Sequence, residues 1–388
     1  MMRINESPLM KKQDVVMVPG GANALSCVAP SADKPCVDAG DVRINLHTGL
    51  VALHSLFLRE HNRIAKFLVD RSPAGPTDEM AFQVTRKIVS AMLQHMAFKE
   101  LLPLILGKKI YNDPRNGLAL KENGFANSYG SDVDATVMVE FAAAAFRLHT
   151  LSGNELPLLM DNGTETPFFL HFFNPNMWYK EGVLDKLIAG MARKRAQQFD
   201  ADFSFVFQNQ MYKAMDKPMG FDQLAVNIQR GRDHGLPTYP QMRKLCGLPP
   251  INDVSDLQRA TSAQNAASLT SVYSHIDDTD FYAGGISEKP VNNEGLCGPT
   301  FACVLTEQFR RLKMGDRFFY ENDNVLTPEQ LTEIRRVSLA SIMCLNSPID
   351  KLQARVLEAE SPTNPVMSCK DILARSSVRL EPFLQKMM

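Results

Sequence analysis

The chain has 388 residues, 45% of them hydrophobic and 22% charged, and its 42 Lys+Arg against 43 Asp+Glu leave a formal net charge of -1. That size and balance describe a soluble globular chain able to bury one large core or two smaller ones, with no excess cation to neutralise phosphates, so nucleic acid is excluded as a partner. No apolar stretch approaches the roughly 18 residues that span a bilayer, which argues against a membrane partner.

In chain order, the first segment, Met1-Met2-Arg3-Ile4-Asn5-Glu6-Ser7, lacks the apolar run of a secretory leader, and residues 1–35 read as an irregular arm. Leu50, Leu53, His54, Phe57, Leu58, His61, Ile64, Ala65 and Leu68 then recur at three- and four-residue intervals, with Arg59, Glu60, Asn62, Arg63 and Lys66 largely between them. That spacing predicts a strongly amphipathic helix. A second helix is predicted from about Phe82 to Lys99, ahead of Pro103, and a third ends in the tract Val139 to His149. Within that tract, Ala142 to Ala145 let something flat or bulky approach the backbone.

Further along, Leu184 to Gln198 reads as a helix, and Val304 to Met314 as one that stops at Gly315, a glycine predicted to supply a left-handed cap residue. Thr327-Pro328-Glu329-Gln330 is the best local start signal: Thr at the cap, Pro at the first helical position and Gln three residues after the cap. The helix it opens is predicted to carry Leu331, Ile334, Ser338 and Ile342 inward. The longest polar connection, Ile251 to Gln264, has weak helical character, and alternating β-type runs are scarce. The fold class is mainly α, in one domain over residues 36–388.

Seven cysteines leave at least one thiol without a partner inside the chain. Cys27 and Cys36 flank a short loop, Cys246 and Cys303 a long polar stretch, and Cys344 and Cys369 the last helix and a Pro-rich loop; none shows the tight paired spacing of a zinc site. Asn5-Glu6-Ser7 and Asn162-Gly163-Thr164 are glycosylation sequons, a pattern common by chance.

The densest chemistry lies in Asn227-Ile228-Gln229-Arg230-Gly231-Arg232-Asp233-His234-Gly235-Leu236-Pro237-Thr238. Arg230, Arg232 and Asp233 form a charge cluster costly to desolvate unless its members pair, which predicts a segment whose polar groups are used in the interior. Gly231 and Gly235 would let the backbone pass where a side chain would clash. This segment resembles the signature of the animal haem peroxidases, the myeloperoxidase, peroxinectin and peroxidasin group. Five more blocks resemble that family in the same order: Ala39 to Arg43, Leu53 to Arg63, Glu140-Phe141 with Ala144 to Arg147, Gly298 to Cys303, and Gly315 to Phe318 with Glu321-Asn322.

The resemblance implies a helical haem-dependent peroxidase domain, expected to be N-terminally truncated and to lack the part that carries the distal histidine and calcium, in an oxidising, extracellular setting, with hydrogen peroxide and a small halide or phenolic donor as reactants. It also implies disulfides Cys27–Cys36, Cys246–Cys303 and Cys344–Cys369, leaving Cys297 free and an intermolecular bridge, hence a homo-oligomer, open. A peroxidase needs iron held by a proximal imidazole and an open distal side on which a proton moves as the O–O bond breaks. His149, after the alanine tract and Phe146-Arg147, takes the place of the proximal iron ligand. Asn227 takes that of its partner, its side-chain oxygen accepting the imidazole's other N–H and fixing the tautomer. Arg43 takes that of the distal arginine that stabilises charge on the departing oxygen. The plainer readings are a buried histidine satisfied by a backbone carbonyl, a turn asparagine and a surface cation. His54, His61 and His234 read as structural, and His47, His95, His171 and His275 show no catalytic spacing.

Departures from the family pattern are equally legible. The family has two residues between the arginine and the proximal histidine, whereas here only Leu148 separates Arg147 from His149, so the imidazole is expected to be rotated or withdrawn. No Asp-His-Asp motif, which carries the family's distal histidine, occurs, nor does its Thr/Asp/Ser-rich calcium loop, and Leu46 stands where many members carry a glutamate esterified to the haem. Two readings are open: a haem peroxidase, or a catalytically inactive relative kept for binding or matrix assembly. An unrelated helical enzyme using Cys and His has little support from spacing.

Overall fold

The computed structural model describes residues 27–72, 75, 77–158, 165–213 and 217–387. Both sequons and most of the N-terminal arm lie outside these residues. The described chain forms two compact units, one built from residues 27–96, 154–195 and 326–387 and one from 97–153 and 196–325.

In the first unit the amphipathic pattern becomes the helix Thr48–Arg71, in which Leu58, His61, Ile64, Ala65 and Leu68 of the expected inward face are buried, whereas Leu50, Leu53, His54 and Phe57 are half-buried and Val51, Ala52 and Leu56 are buried instead. It packs against the helices Asp78–Met96, Val183–Arg193 and Leu339–Asn346. Charges at the edge of the stripe are paired: Arg59 donates from Nη1 to Asp185 Oδ1 at 2.6 Å and to the Asn346 carbonyl at 2.8 Å. The buried Glu60 accepts from Arg63 Nη2 at 2.7 Å and from Asn346 Nδ2 at 2.7 Å. His61 is buried as expected of a core residue. Cys27–Cys36 and Cys344–Cys369 are bonded. Two short antiparallel pairs, Glu155–Leu156 with Thr166–Pro167 and Lys351–Gln353 with Val366–Ser368, are the named strands among the described residues.

The start signal at Thr327 is realised as a reciprocal capping box: Gln330 N donates to Thr327 Oγ1 at 3.3 Å and Thr327 N to Gln330 Oε1 at 3.1 Å. The helix it opens, Pro328–Ile334, is shorter than predicted. It buries Leu331 and Ile334, but Ser338 caps a separate helix, Leu339–Asn346, which carries Ile342 inward. Replacing Thr327 by alanine removes one arm of the box and is expected to cost about 1 kcal/mol, read as a shift in the urea midpoint at unchanged slope.

In the second unit the helix Pro299–Met314 lies beside the helices Leu102–Leu106 and Phe281–Ile286. It starts earlier than predicted because Gly298-Pro299 opens it. Its terminal Gly315 is right-handed, at φ -86°, not left-handed as predicted. What requires glycine there is space: an added Cβ would lie 2.6 Å from the Val133 carbonyl oxygen. Cys246–Cys303 ties this helix to Tyr239–Leu245. The polar connection contains the helix Val254–Ala260 and runs into a second, Ala263–Val272, and the two bury Leu257, Ala266 and Leu269 against Tyr239. Cys297 is buried and donates to the Ile105 carbonyl at 3.4 Å, and burial pushes its thiol up to about 12. That removes it as a bridge between copies.

One helical run, Asp78–Leu106, is by length and composition apolar enough to cross a bilayer, contrary to the sequence reading. Its residues Ile88, Met92 and Leu102 are buried in their own units, the ordinary reason for such a composition.

Candidate functional site

The signature segment folds largely as the helix Gln223–Asp233, opened by Asp222, whose Oδ1 accepts from Leu224 N at 2.8 Å and Ala225 N at 3.2 Å. Only Gln223 and Asn227 of this helix are buried. Arg230, Arg232, Asp233 and His234 are exposed, so the predicted interior cluster does not form. Instead Arg232 pairs with Asp280 across the helix end, at 2.6 Å, and Asp233 accepts from Gln229 Nε2 at 2.7 Å. His234 keeps a structural role, Nδ1 lying 3.0 Å from the Arg230 carbonyl. Gly235 is left-handed, at φ +63°, where the chain leaves the helix, a conformation glycine adopts without penalty. Gly231 meets only ordinary contacts.

Facing Asn227 is the alanine tract, which is not the end of a long helix. Phe141–Ala145 makes a single wide turn, closed by Phe146 N donating to the Phe141 carbonyl at 3.0 Å, and the chain then enters the tight turn His149–Leu151. Ala143, Ala144 and Ala145 are buried, while the Phe141 and Phe146 rings stack at 4.8 Å. Arg147 and His149, separated only by Leu148, both point to the same side chain.

That side chain is Asn227. Arg147 Nη1 donates to its Oδ1 at 2.9 Å, and Gln223 Nε2, one helical turn earlier, donates to the same oxygen at 2.8 Å. The amide nitrogen lies 3.3 Å from His149 Nδ1. Tyr282, buried on the helix Phe281–Ile286, donates its phenol proton to the Arg147 carbonyl at 3.1 Å, and Asn227 hydrogen-bonds its phenol. Burial first and the Arg147 charge second hold His149 well below the usual imidazole range, at about 4, so the ring is neutral at physiological pH. Burial likewise pushes the Tyr282 phenol up, so it stays protonated.

The structure therefore brings together two of the three residues singled out from sequence, 78 positions apart. The contact differs from the expected one: the amide presents nitrogen, not oxygen, to the imidazole. A backbone carbonyl, the plainer partner for His149, is not what faces Nδ1. Arg147, Gln223 and Tyr282 escaped the sequence reading; Gln223, four residues before Asn227 on one helix face, carried the one available signal.

Arg43 belongs to the first unit, in the tight turn Val42–Leu46. Its Nε donates to Asp41 Oδ1 at 2.9 Å, and its backbone N–H donates to the same oxygen, also at 2.9 Å. These bonds hold the Asp41 carboxyl down at about 2. The side chain is 70% exposed, so its charge is solvated as well as paired. Leu46 offers no carboxylate for an ester, and no cluster of three or more His, Cys, Asp or Glu suited to a cation occurs among the described residues.

A helical fold with an imidazole and an amide converging behind an alanine-lined turn defines a haem-peroxidase type of domain. The animal haem peroxidase family pattern matches residues 2–357, and the chain belongs to that family. It is 37% identical over 345 residues to heme peroxidase 2 of Caenorhabditis elegans, covering 84% of this chain and 47% of that protein. It is 34% identical over 361 residues to chorion peroxidase of Drosophila melanogaster, covering 89% and 43% respectively. Among solved structures it superposes on peroxidase A from Dictyostelium discoideum with a TM-score of 0.71 at 27% identity, covering 89% of this chain and 62% of that one. The chain thus spans about half or less of the length of these curated relatives.

The family implies haem. The residues present match it in kind, an imidazole with an amide behind it. At the atoms the contact differs from the expected one, since the amide nitrogen and not the oxygen stands 3.3 Å from Nδ1.

Proposed function

We propose that this chain serves in a haem peroxidase that reduces hydrogen peroxide while oxidising a small halide or phenolic donor outside the cell. In this reading residues 36–388 form the peroxidase-like domain, His149 is the proximal imidazole, Asn227 its partner and Arg43 the distal cation. The observation that carries it is the approach of Asn227, from the family signature, to His149 at 3.3 Å. Three disulfides support the oxidising setting. When bound, haem supplies the iron at which peroxide is reduced. The chain's own residues hold the imidazole neutral and oriented, and keep a guanidinium charge at Arg43.

A second reading, an inactive relative kept for binding, is favoured by one observation: the amide nitrogen rather than the oxygen faces the imidazole. Haemin added to the full chain, with the Soret band and peroxide-dependent oxidation of a phenol as readouts, separates the readings. Weak, non-covalent binding that is lost in His149→Ala, with little turnover, is the expected result. An unchanged spectrum in His149→Ala would remove that residue from the ligand role, and robust turnover would discard the inactive reading.

A further inference from the structure

We propose that His47 and His171 form an acid-operated latch, which holds residues 166–173 against the start of the helix Thr48–Arg71 and opens when the two imidazoles take up protons. The seam lies wholly within the first unit. Backbone joins it at two points, an antiparallel bridge between His47 and Phe172 and a bond from Phe173 N to the Leu46 carbonyl at 3.1 Å. Side chains close it. His171, fully buried in the turn Phe168–His171, spans from Thr166 Oγ1 at 2.7 Å to Thr48 Oγ1 at 2.9 Å. His47 caps the helix, its Nδ1 accepting from Gly49 N at 3.1 Å, and its ring meets the Phe168 ring edge-on at 5.1 Å.

The cap needs a neutral ring, and the seam is badly placed to hold two charges. A protonated His47 has no lone pair at Nδ1 to accept from Gly49 N, and it sets a cation against the positive end of a 24-residue helix. A second cation at His171 acts on the first, with the Lys180 charge opposing it as well. The other charged groups on the elements packed here are matched elsewhere: Asp41 with Arg43, Glu155 and Glu165 with Lys194, and Asp185 with Arg59. His54, further along the helix, is itself lowered by burial and is drawn the other way by Asp41. Parting the seam frees the end of the turn Val42–Leu46, which carries Arg43. If Arg43 is the distal cation, as read above, acid unseats it.

Hydrogen exchange of the full, haem-free chain at pH 7 and pH 5, corrected for intrinsic rates, tests the latch. A ring that goes from about 4 when latched to the ordinary 6.5 when released favours opening about 20-fold more at pH 5 than at pH 7, and two such rings roughly 500-fold. Protection of residues 42–49 and 166–173 is expected to fall by that order in the wild type. At pH 5 both segments should also be at least about 10-fold less protected than the helix Val183–Arg193 of the same unit. Equal protection throughout would mean that acid unfolds the unit as a whole, and overturns the proposal. His47→Asn keeps an acceptor for Gly49 N without a titrating ring, and His171→Gln removes the other proton site. Each is expected to cut the pH effect to about 20-fold and the double variant to abolish it. An undiminished effect in the double variant overturns the proposal too. Each protein is compared with itself, so loosening by the substitution cancels. The readout uses neither haem nor turnover, so a failure of the Arg43 assignment leaves it intact.

Discussion

Replacing Glu288 by alanine is expected to destabilise the protein by about 3–5 kcal/mol, the range for stranding one member of a buried ion pair. The Glu288 side chain is fully buried and pairs with Arg243, itself 6% exposed. It also accepts from the Tyr239 phenol at 2.9 Å, from Thr300 N at 2.8 Å and from Thr300 Oγ1 at 2.6 Å. Burial pushes its carboxyl up, against the pull of Thr300, Arg243 and Tyr239. The group therefore joins three helices: Tyr239–Leu245, Phe281–Ile286, whose end it follows, and the start of Pro299–Met314. The surrounding backbone is shaped to admit it, since an added Cβ at Gly298 would overlap the Glu288 side chain and one at Gly284 the Tyr239 ring. In Glu288→Ala the Arg243 guanidinium keeps only the Pro249 carbonyl, 3.1 Å from Nε, among its described partners outside this group. The double change Glu288→Leu with Arg243→Met removes both charges and is expected to cost much less than Glu288→Ala. Urea denaturation decides the matter: equal losses in the single and double variants would show that shape, not a stranded charge, sets the cost.

Acidification from pH 7 to pH 5 is the second large effect. His171 is fully buried between two hydroxyls, with Nδ1 2.9 Å from Thr48 Oγ1 and Nε2 2.7 Å from Thr166 Oγ1. Burial first and the Lys180 charge second lower it from 6.5 to about 4. A histidine depressed on folding binds its proton more readily in the unfolded chain, so stability falls as pH drops through 6.5 and levels off below the folded value. The drop from 6.5 to about 4 corresponds to about 3 kcal/mol in full, of which about 2 kcal/mol is lost by pH 5. His47 and His149, also lowered to about 4 chiefly by burial, act in the same direction. Asp41, held at about 2, loses its contribution only below about pH 4, outside this window. Glu288, pushed up by burial, works in the opposite sense. The clean measurement is therefore a comparison: His171→Gln should show a shallower fall in unfolding free energy between pH 7 and pH 5 than wild type. Parallel profiles would rule His171 out as a source of the acid sensitivity.

Much of this protein was written in local pattern. The three- and four-residue spacing from Leu50 to Leu68 determined a helix and the buried face of its second half, Leu58 to Leu68, because one helical turn brings those residues side by side. Thr327-Pro328 with Gln330 determined a helix start, because a capping box closes within four residues. The ordered blocks, with Asn227 and Arg147 among them, pointed to the family to which the chain belongs. Tertiary structure decided the rest. Gly315 is required by a carbonyl from residue 133, not by its own dihedral, and Arg232 found Asp280 rather than its neighbour Asp233. Above all, the fold decided what gathers on the Asn227 amide: Arg147, 80 residues away, donates to its oxygen, and its nitrogen stands 3.3 Å from His149. The reason is physical: an amide names its possible partners but not its orientation, and only the donors that the fold gathers around it choose between its two ends.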